Sequence, residues 1–350
     1  MPQTDFTAFN NKPTELALPQ IIFGTSLLGN LYQALPYQQK KEIVRQYVLQ
    51  SQGTPVFDTA GKYGAGLALE TLGQCLKELA VSPEDVIISN KLAWMRTQLM
   101  GEEPTFEPGV WKGLKHDAVQ RISYEGILEC FEEGAALLNG YAQQMVSVHD
   151  PDEYLDKAQN AQHEAELYND ILQAYKALFE LKQQGKVKAV GVGAKDWRVI
   201  KRLAADVPFD WVMIANSLTL HSHPQALLAF VKELSDRGVT VINSAVFNGG
   251  FLTGGDYYNY KLVSRNNAAD APLLGWRDAF FLVCKEFLIK PAEAGLQFAL
   301  RVPGVKSLAV STSAPERVAK NFDAVNKVIP QAFWKAMVER GLLNMDAIAF

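Results

Sequence analysis

Short apolar runs alternate along the chain with segments in which apolar residues recur at three- or four-residue steps. Eight runs rich in β-branched or bulky residues lie near residues 21–23, 55–57, 86–88, 145–148, 189–192, 211–214, 239–242 and 307–310. Continuous apolar runs of this length are typical of strands that are buried on both faces of a parallel sheet. The pattern therefore predicts eight buried strands.

The segments between these runs have the spacing of amphipathic helices. In residues 167–181, leucine, isoleucine and alanine recur at helical steps, and Gly185 then supplies a stop signal. Eight strands joined mostly by helices predict an α/β protein with a (β/α)8 TIM barrel, and a doubly wound sheet is the alternative. Further helices are predicted at residues 37–50, 65–79, 124–138, 224–237 and 315–325.

The chain has 350 residues, which exceeds the roughly 250 residues of a bare barrel. Two long stretches, about residues 94–123 and 247–288, follow the third and seventh predicted strands. In a barrel, such loops form walls over the C-terminal ends of the strands, where catalysis takes place. We therefore predict one barrel domain over residues 1–350, with an N-terminal extension and a C-terminal helix and tail.

Composition limits the class of partner. There are 34 Lys and Arg residues against 38 Asp and Glu residues, giving a net charge of -4, which argues against a broadly basic nucleic-acid surface. No apolar run approaches the roughly 20 residues that cross a bilayer, and the polar start lacks the apolar core of a signal peptide. Three widely separated cysteines offer neither a metal-binding spacing nor a disulfide framework. These features predict a cytoplasmic protein with a small-molecule substrate, without a metal and without a nucleic-acid or membrane partner.

Polar side chains end three consecutive predicted strands. Asp58 ends the second strand, Lys91 the third and His149 the fourth, and Tyr63 lies in the loop after Asp58. Taken singly, these residues have ordinary explanations as a helix cap, a solvated cation, a structural histidine and a loop tyrosine. In a barrel all four meet at one mouth, and an unpaired Lys charge deep in an apolar strand is costly. The coincidence favours a catalytic site.

The chemistry of this set is specific. A free tyrosine has a pKa of about 10, and a nearby lysine cation favours the tyrosinate. The aspartate can orient the lysine, and the histidine can hydrogen-bond a substrate oxygen. Such a set moves a proton at an oxygen while hydride moves at the attached carbon, which implies a nicotinamide cofactor because side chains cannot carry hydride. The competing hypothesis is an aldolase in which Lys91 forms a Schiff base and Tyr63 relays protons.

No predicted strand is followed by a GxGxxG motif, which disfavours a two-domain dinucleotide-binding fold. A barrel can instead hold a phosphate with its last loops and a helix N-terminus. The hydroxyls and amides of Ser311, Thr312 and Ser313, together with the Arg317 guanidinium, can bind phosphate after the eighth strand. A well-capped helix with a solvated arginine is the alternative.

These residues resemble the aldo-keto reductase superfamily over nearly the whole chain. The segments that carry the resemblance are 57–60, 63–64 and 70–73, then Lys91 and His149, then 249–254 and 303–321. The resemblance implies the (β/α)8 fold, NAD or NADP as cofactor, and catalytic roles for Asp58, Tyr63, Lys91 and His149. The cofactor-binding residues that it implies are Gly24, Thr25, Ser244, Phe247, Gly249, Ser311, Thr312, Ser313, Arg317 and Asn321.

Within the superfamily, segments 24–32, 123–128 and 148–152 are similar to the aldose 1-dehydrogenases that include L-fucose and D-threo-aldose dehydrogenases. This similarity implies that a sugar hemiacetal is oxidised to an aldono-lactone by hydride transfer, with the tyrosine as acid and base. Two alternatives remain: an NADPH-dependent aldehyde, ketone or pyridoxal-type reductase, and a cofactor-binding sensor with little turnover. Flat surface for the sugar ring is expected from Trp94, Trp111 and Trp197, in the loops after the third and fifth strands, with loop packing as the alternative.

The sequence also departs from the superfamily. Residues 193–194 are Gly-Ala where many members have a Ser-Asn pair for the nicotinamide carboxamide, and Ser244 replaces the aromatic residue that stacks on nicotinamide. Residues 216–217 also differ from the common patterns. Ser311 replaces the lysine that meets the 2′-phosphate of NADP, although Arg317 is kept. The loss of that lysine gives a slight preference for NAD over NADP.

Overall fold

A closed barrel of eight parallel strands forms the centre of the computed structural model, which describes residues 6–9, 12–259 and 261–348. In chain order, the strands of the described residues are β1 Ile21–Gly24, β2 Val56–Ala60, β3 Ile87–Leu92, β4 Trp94–Gln98, β5 His116–Gln120, β6 Met145–His149, β7 Ala189–Ala194, β8 Trp211–Ala215, β9 Thr240–Ser244, β10 Tyr257–Tyr258, β11 Lys261–Leu262 and β12 Val305–Val310. The barrel runs β1, β2, β3, β6, β7, β8, β9, β12 and closes by pairing β12 with β1. Each predicted apolar run overlaps one barrel strand, so the predicted (β/α)8 TIM barrel is confirmed.

Helices surround the barrel. Within the described residues they are α1 Tyr37–Gln50, α2 Leu67–Glu78, α3 Tyr124–Leu137, α4 Pro151–Leu155, α5 Ala161–Gln183, α6 Trp197–Asp206, α7 Gln225–Asp236, α8 Ala271–Glu286, α9 Pro291–Arg301, α10 Pro315–Asn326 and α11 Gln331–Glu339. The six helices predicted from periodicity correspond to α1, α2, α3, α5, α7 and α10. The others begin at local signals rather than at a long periodic stretch: Asp196 caps α6 by accepting from Arg198 N at 2.9 Å, and a proline lies in the first turn of α9.

Apolar side chains close the barrel at the N-terminal end of its strands. Val56, Met145, Ala189 and Trp211, each from a different strand, belong to one buried cluster there. The Trp211 ring occupies the place of a side chain on the adjacent strand, because a Cβ on Gly191 would lie 2.2 Å from Trp211 Cδ2. The barrel is therefore a packed core at this end and leaves its opposite end for polar groups.

The alternation of side chains brings the polar groups into the barrel. Successive residues of a strand point to opposite faces, so Asp58 shares the face of Val56 and His149 shares the face of Met145. Both polar residues lie nearer the C-terminal ends of their strands than their apolar partners do. The mouth of the barrel is thus lined by inward-facing polar side chains above an apolar floor.

The long connections after β3 and β9 are present, but they are not simple loops. The first contains the antiparallel hairpin β4–β5, and the second contains the short hairpin β10–β11 and the helix α8. An isolated bridge between Leu31 and Trp111 ties the first connection to the loop after β1. Among the described residues, no helix is both long enough and apolar enough to cross a membrane.

Candidate active site

The two charged residues predicted at the mouth form an ion pair. Lys91 Nζ lies 2.5 Å from Asp58 Oδ2, and both residues are buried, with 4% and 3% exposure. Lys91 Nζ also donates to the Thr59 carbonyl at 3.5 Å. Neighbouring parallel strands bring the pair together, since β2 pairs directly with β3. The lysine charge therefore has a partner deep in the barrel mouth.

Tyr63 and His149 complete the predicted group of four. The Tyr63 ring lies with its centre 4.9 Å from Lys91 Nζ, and the His149 ring lies 5.5 Å away at 85° to it. Tyr63 is half-buried, whereas His149 is buried. The structure therefore brings all four predicted catalytic side chains together, although they come from three strands and a loop.

Burial and charge set the protonation of this group. Burial lowers the pKa of His149 well below its usual value, and the Lys91 and Lys62 cations lower it further. Burial also raises the pKa of Asp58, while the Lys91 ammonium acts in the opposite direction and favours the carboxylate. The histidine is thus neutral near pH 7, so it can both donate and accept a hydrogen bond.

A close backbone contact positions the tyrosine. Gly29, the last residue of a short 3-10 helix after β1, approaches the loop so closely that a Cβ there would lie 2.6 Å from the Tyr63 carbonyl oxygen. Conversely, a Cβ on Gly64 would lie 2.3 Å from the Gly29 carbonyl oxygen. The glycines let two backbone segments touch directly, which fixes the height of Tyr63 over the barrel.

A network of charged residues that the sequence pattern does not predict lies beside this group. Lys62 Nζ lies 2.8 Å from Glu107 Oε1, 2.9 Å from Glu153 Oε2 and 3.6 Å from Asp150 Oδ2. Lys195 pairs with Glu153 and lies 3.6 Å from Asp150 Oδ2. Burial lowers the pKa of Lys62, but the carboxylates, Asp150 first, outweigh this and raise it above its usual value. The network is a fixed polar wall of the mouth.

One signal for this network is visible in the sequence. Lys62 directly precedes Tyr63, and Asp150 directly follows His149, so two charges adjoin two predicted catalytic residues. The connection between them is spatial: Asp150 Oδ2 lies 3.5 Å from His149 Nε2, and the Lys62 to Glu153 pair joins positions 91 residues apart.

Two of the three predicted substrate-facing tryptophans lie beside the tyrosine. The Trp111 ring lies 5.9 Å from the Tyr63 ring, and Trp111 Nε1 donates to Glu107 Oε2 at 2.7 Å. Trp94 belongs to the same aromatic cluster, but it begins strand β4 and does not lie in a loop. Trp197 does not lie in a loop as predicted: it is the first residue of α6 and packs against Phe230 of α7, because Asp196 caps a helix there.

The residues predicted to bind the cofactor lie at the ends of three neighbouring strands. β9 pairs with β12 and β12 with β1, which places Ser244, Ser311 and Gly24 side by side. A Cβ on Gly24 would lie 3.5 Å from Ser311 Cβ. Thr25 is fully buried, and its hydroxyl donates to the Asp58 carbonyl at 3.0 Å, so its side chain supports β2. Phe247 packs against Gly295 of α9, where a Cβ would lie 3.1 Å from its ring.

The start of α10 has the features of an anion-binding site. Its N-cap, Ala314, makes no side-chain cap, but Pro315 carries no N–H and Arg317 N bonds the Ala314 carbonyl at 3.0 Å. Within the described residues, this leaves the Glu316 amide of the first turn for a ligand. Ser311 and Arg317 are exposed, and within the described residues Arg317 has no ion pair. Thr312 is buried and accepts a bond from Ala314 N at 3.2 Å. Three other predicted residues lie in this region. The Ser313 carbonyl accepts from Gln39 at 2.6 Å, and Asn321 is half-buried one turn beyond Arg317. Gly249 has a left-handed backbone (φ 73°).

The sequence of this chain matches a known protein family over most of its length. The sequence profile described as the Aldo/keto reductase family matches residues 20–340. The chain belongs to the aldo/keto reductase family. It is therefore an oxidoreductase of a family whose members use NAD(P)H.

Two curated relatives of this aldo/keto reductase extend over almost its whole length. It is 25% identical to the pyridoxal 4-dehydrogenase of Microbacterium luteolum over 346 residues, or 95% of this chain and 96% of the relative. It is 24% identical to a D-threo-aldose 1-dehydrogenase of Pseudomonas sp over 341 residues, or 94% of this chain and 95% of the relative. These relatives bear out the predicted superfamily and branch.

Solved structures share its fold. An aldo-keto reductase from Bacillus halodurans in its holo form gives a TM-score of 0.67 at 18% identity and covers 97% of this chain and 98% of its own. A mutant protein in complex with NADPH gives a TM-score of 0.58 at 17% identity and covers 97% of this chain and 96% of its own. The preference for NAD drawn from Ser311 finds no support in these comparisons.

Proposed function

We propose that this aldo/keto reductase is an NAD(P)-dependent aldose 1-dehydrogenase of the L-fucose or D-threo-aldose type, with residues 1–350 as one barrel domain. The observation that supports this most is the placement of Tyr63 between the Lys91 ammonium, 4.9 Å from its ring centre, and the His149 ring, 5.5 Å away. A phenol held beside a buried cation and a neutral imidazole is suited to proton transfer at an alcohol oxygen.

Each residue of the group has one task in this proposal. Tyr63, as the tyrosinate, takes the proton from the anomeric hydroxyl of the sugar. The Lys91 ammonium stabilises the negative charge on the phenolate, and Asp58 holds Lys91 at 2.5 Å. His149 donates a hydrogen bond to the substrate oxygen and keeps it within reach of the phenol. The product of hemiacetal oxidation is an aldono-lactone.

The cofactor would lie over the C-terminal ends of β9, β12 and β1. The Glu316 amide at the start of α10, the hydroxyls of Ser311 and Ser313, and the Arg317 guanidinium would hold its phosphates. The absence of a Cβ at Gly24, next to Ser311, leaves room for the dinucleotide at the strand ends. A nicotinamide held there would supply the hydride acceptor that oxidation of the sugar carbon needs. We propose Arg317 as the contact with a 2′-phosphate, so that NADP is accepted as well as NAD.

A second candidate is a pyridoxal-type dehydrogenase or aldehyde reductase. The pyridoxal 4-dehydrogenase relative, at 25% identity over 95% of this chain, supports it. The same four residues serve either reaction, because each needs proton transfer at one oxygen. The carboxylates and lysines beside Tyr63 support the sugar, since they offer many hydrogen-bond partners to hydroxyl groups.

The test is a panel of aldoses, pyridoxal and simple aldehydes with NAD, NADP and their reduced forms, followed by nicotinamide absorbance. We expect aldose oxidation by the wild-type protein. Tyr63→Phe should lower kcat by about 100-fold or more, because the proton acceptor is lost. The control is Tyr168→Phe, which removes a hydroxyl bonded to Asp206 at 2.7 Å between two outer helices. Full activity of Tyr63→Phe would refute the mechanism, and no turnover of any compound would refute the enzyme proposal.

A further inference from the structure

A second polar cleft opens beside the proposed active site. It has a volume of about 480 Å³ and lies between the segments that follow β6, β7 and β8. Its walls include Asp152 and Asp156 of the α4 region, Lys195 and Trp197 at the start of α6, and Asn216 after β8. None of the four proposed catalytic residues lines it.

The cleft adjoins the catalytic group through shared walls. Glu153 lines the cleft and also pairs with Lys62, the residue before the proposed proton acceptor, at 2.9 Å. Lys195 lines the cleft and lies 3.6 Å from Asp150 Oδ2, which is 3.5 Å from His149 Nε2. The cleft is therefore linked to His149 by two side-chain contacts, Lys195 with Asp150 and Asp150 with His149. A ligand with its reacting carbon at His149 lies next to this link.

The charges of the cleft disfavour an anionic ligand. Its two cations are already paired, Lys195 with Glu153 and Arg198 with Asp196 at 2.9 Å. In the part of the chain that the structure describes, no ion pair reaches the exposed Asp156. A phosphate or carboxylate would meet unpaired negative charge here, whereas hydroxyl groups would find acceptors.

Two buried acceptors of the cleft lack donors within the described residues. Asp152 and Asn216 are each only 6% exposed, and the Oδ1 atom of each has no hydrogen-bond partner. The other carboxylate oxygen, Asp152 Oδ2, accepts from Lys195 N at 2.9 Å and Asp196 N at 2.8 Å. A buried acceptor without a donor is costly, so these two oxygens indicate that a ligand supplies hydrogen-bond donors.

We propose that this cleft binds the hydroxyl-bearing, uncharged part of the substrate that lies away from the reacting carbon. The inference rests on the proposed function, since it takes the substrate to be a sugar. The Trp197 face offers a flat apolar surface to the carbon side of the chain or ring. The cleft then distinguishes a free aldose from its phosphorylated counterpart and from a short aldehyde that does not reach it.

Asn216→Gly tests the contribution of the Asn216 side chain most directly. Asn216 has a left-handed backbone (φ 62°) that glycine adopts readily, so the change removes the amide without backbone strain. Asp152→Asn is the second, because its oxygen can keep both backbone bonds while an NH2 replaces the unpartnered oxygen. The matched control is Asn139→Gly, which is also left-handed (φ 51°) but exposed after α3.

The assay compares kcat/KM for D-arabinose and glyceraldehyde and measures binding of D-arabinose and D-arabinose 5-phosphate by calorimetry. We expect Asn216→Gly and Asp152→Asn to lower the D-arabinose to glyceraldehyde ratio by about 10-fold, the loss of one hydrogen bond, with Asn139→Gly at the wild-type ratio. Wild-type protein should bind D-arabinose at least about 10-fold more tightly than the phosphate.

Two results would overturn the inference: an unchanged ratio, including an equal loss for both substrates, or a change confined to the KM of the cofactor. Binding separates this failure from that of the proposed function. If no sugar is oxidised but D-arabinose binding is weakened in Asn216→Gly, the cleft stands and the proposed reaction fails. If sugars are oxidised and the variants match wild type, the cleft assignment fails alone.

Discussion

Gly29→Ala tests how the fold positions the proposed proton acceptor without touching that residue. The added Cβ would lie 2.6 Å from the Tyr63 carbonyl oxygen and 2.7 Å from the carbonyl carbon. These are backbone atoms, so no side-chain rotation can relieve the contact. Gly29 does not have a positive φ, so alanine itself is free of backbone strain and the effect is purely steric.

The size of the effect follows from the distances. The optimal distance between non-bonded heavy atoms is about 3.5 Å, so the loop bearing Tyr63 must move by about 1 Å. A displacement of this size at a reacting group costs about 100-fold in rate, and overpacking costs about 1–3 kcal/mol of stability. We therefore expect kcat to fall by about 100-fold while the protein still folds.

The measurement is kcat with saturating sugar and cofactor, together with the urea midpoint of unfolding. The control is Gly275→Ala in α8, where no atom lies within 4 Å of the new Cβ. That change should leave kcat unchanged and stabilise the protein by about 0.5–1 kcal/mol. If Gly29→Ala keeps wild-type kcat, the backbone contact does not determine the position of Tyr63 and the reasoning is wrong.

Two further predictions concern other parts of the molecule. Lys62→Met should lower stability by about 1–3 kcal/mol in urea unfolding because it leaves carboxylates without their cation, whereas the exposed Lys232→Met should change it by less than about 0.5 kcal/mol. Lowering the pH should release the C-terminal tail. His223 Nδ1 donates to the Thr219 carbonyl at 3.1 Å, while Nε2 accepts from Asn344 N at 3.1 Å. Only the neutral ring can accept at Nε2, so protonation of His223 breaks the bond to Asn344. Burial lowers the pKa of His223, so this stability is present above about pH 6.5 and is lost below it. Hydrogen-exchange protection factors of residues 340–348, corrected for the intrinsic exchange rate at each pH, that are equal at about pH 5.5 and 7.5 would contradict the prediction.

The strands and the catalytic group could be predicted because both leave a local pattern. A run such as residues 86–88 is apolar throughout, since β3 is buried on both faces, and Lys91 follows it three residues later, still within the strand. A charge in such a position requires a partner, and the adjacent strand β2 supplies Asp58. Continuous apolar runs and the barrel topology are therefore sufficient to predict this part of the site.

The charged network and the cleft could not be predicted in the same way. The Lys62 to Glu153 pair joins positions 91 residues apart, and each partner taken alone looks like an ordinary surface charge. Trp197 was misplaced because the capping role of Asp196 depends on a hydrogen bond that composition does not show. The missed features are those in which loops from different strands meet, where no periodic pattern records the contact.

Several residues with a strained backbone lie directly after the barrel strands. Ala93 after β3, Asp150 after β6, Asn216 after β8 and Ala245 after β9 all have a positive φ, at 106°, 47°, 62° and 52°. Such conformations cost about 1–3 kcal/mol each and persist only where surrounding contacts impose them. Every one of these residues follows the C-terminal end of a barrel strand, so the strain is concentrated where the proposed site lies. The regular barrel thus supplies the stability that lets its loops hold conformations which their own sequences do not favour. For that reason the strand-end residues are predictable from the sequence, whereas the contacts between loops, such as the Lys62 to Glu153 pair, are not.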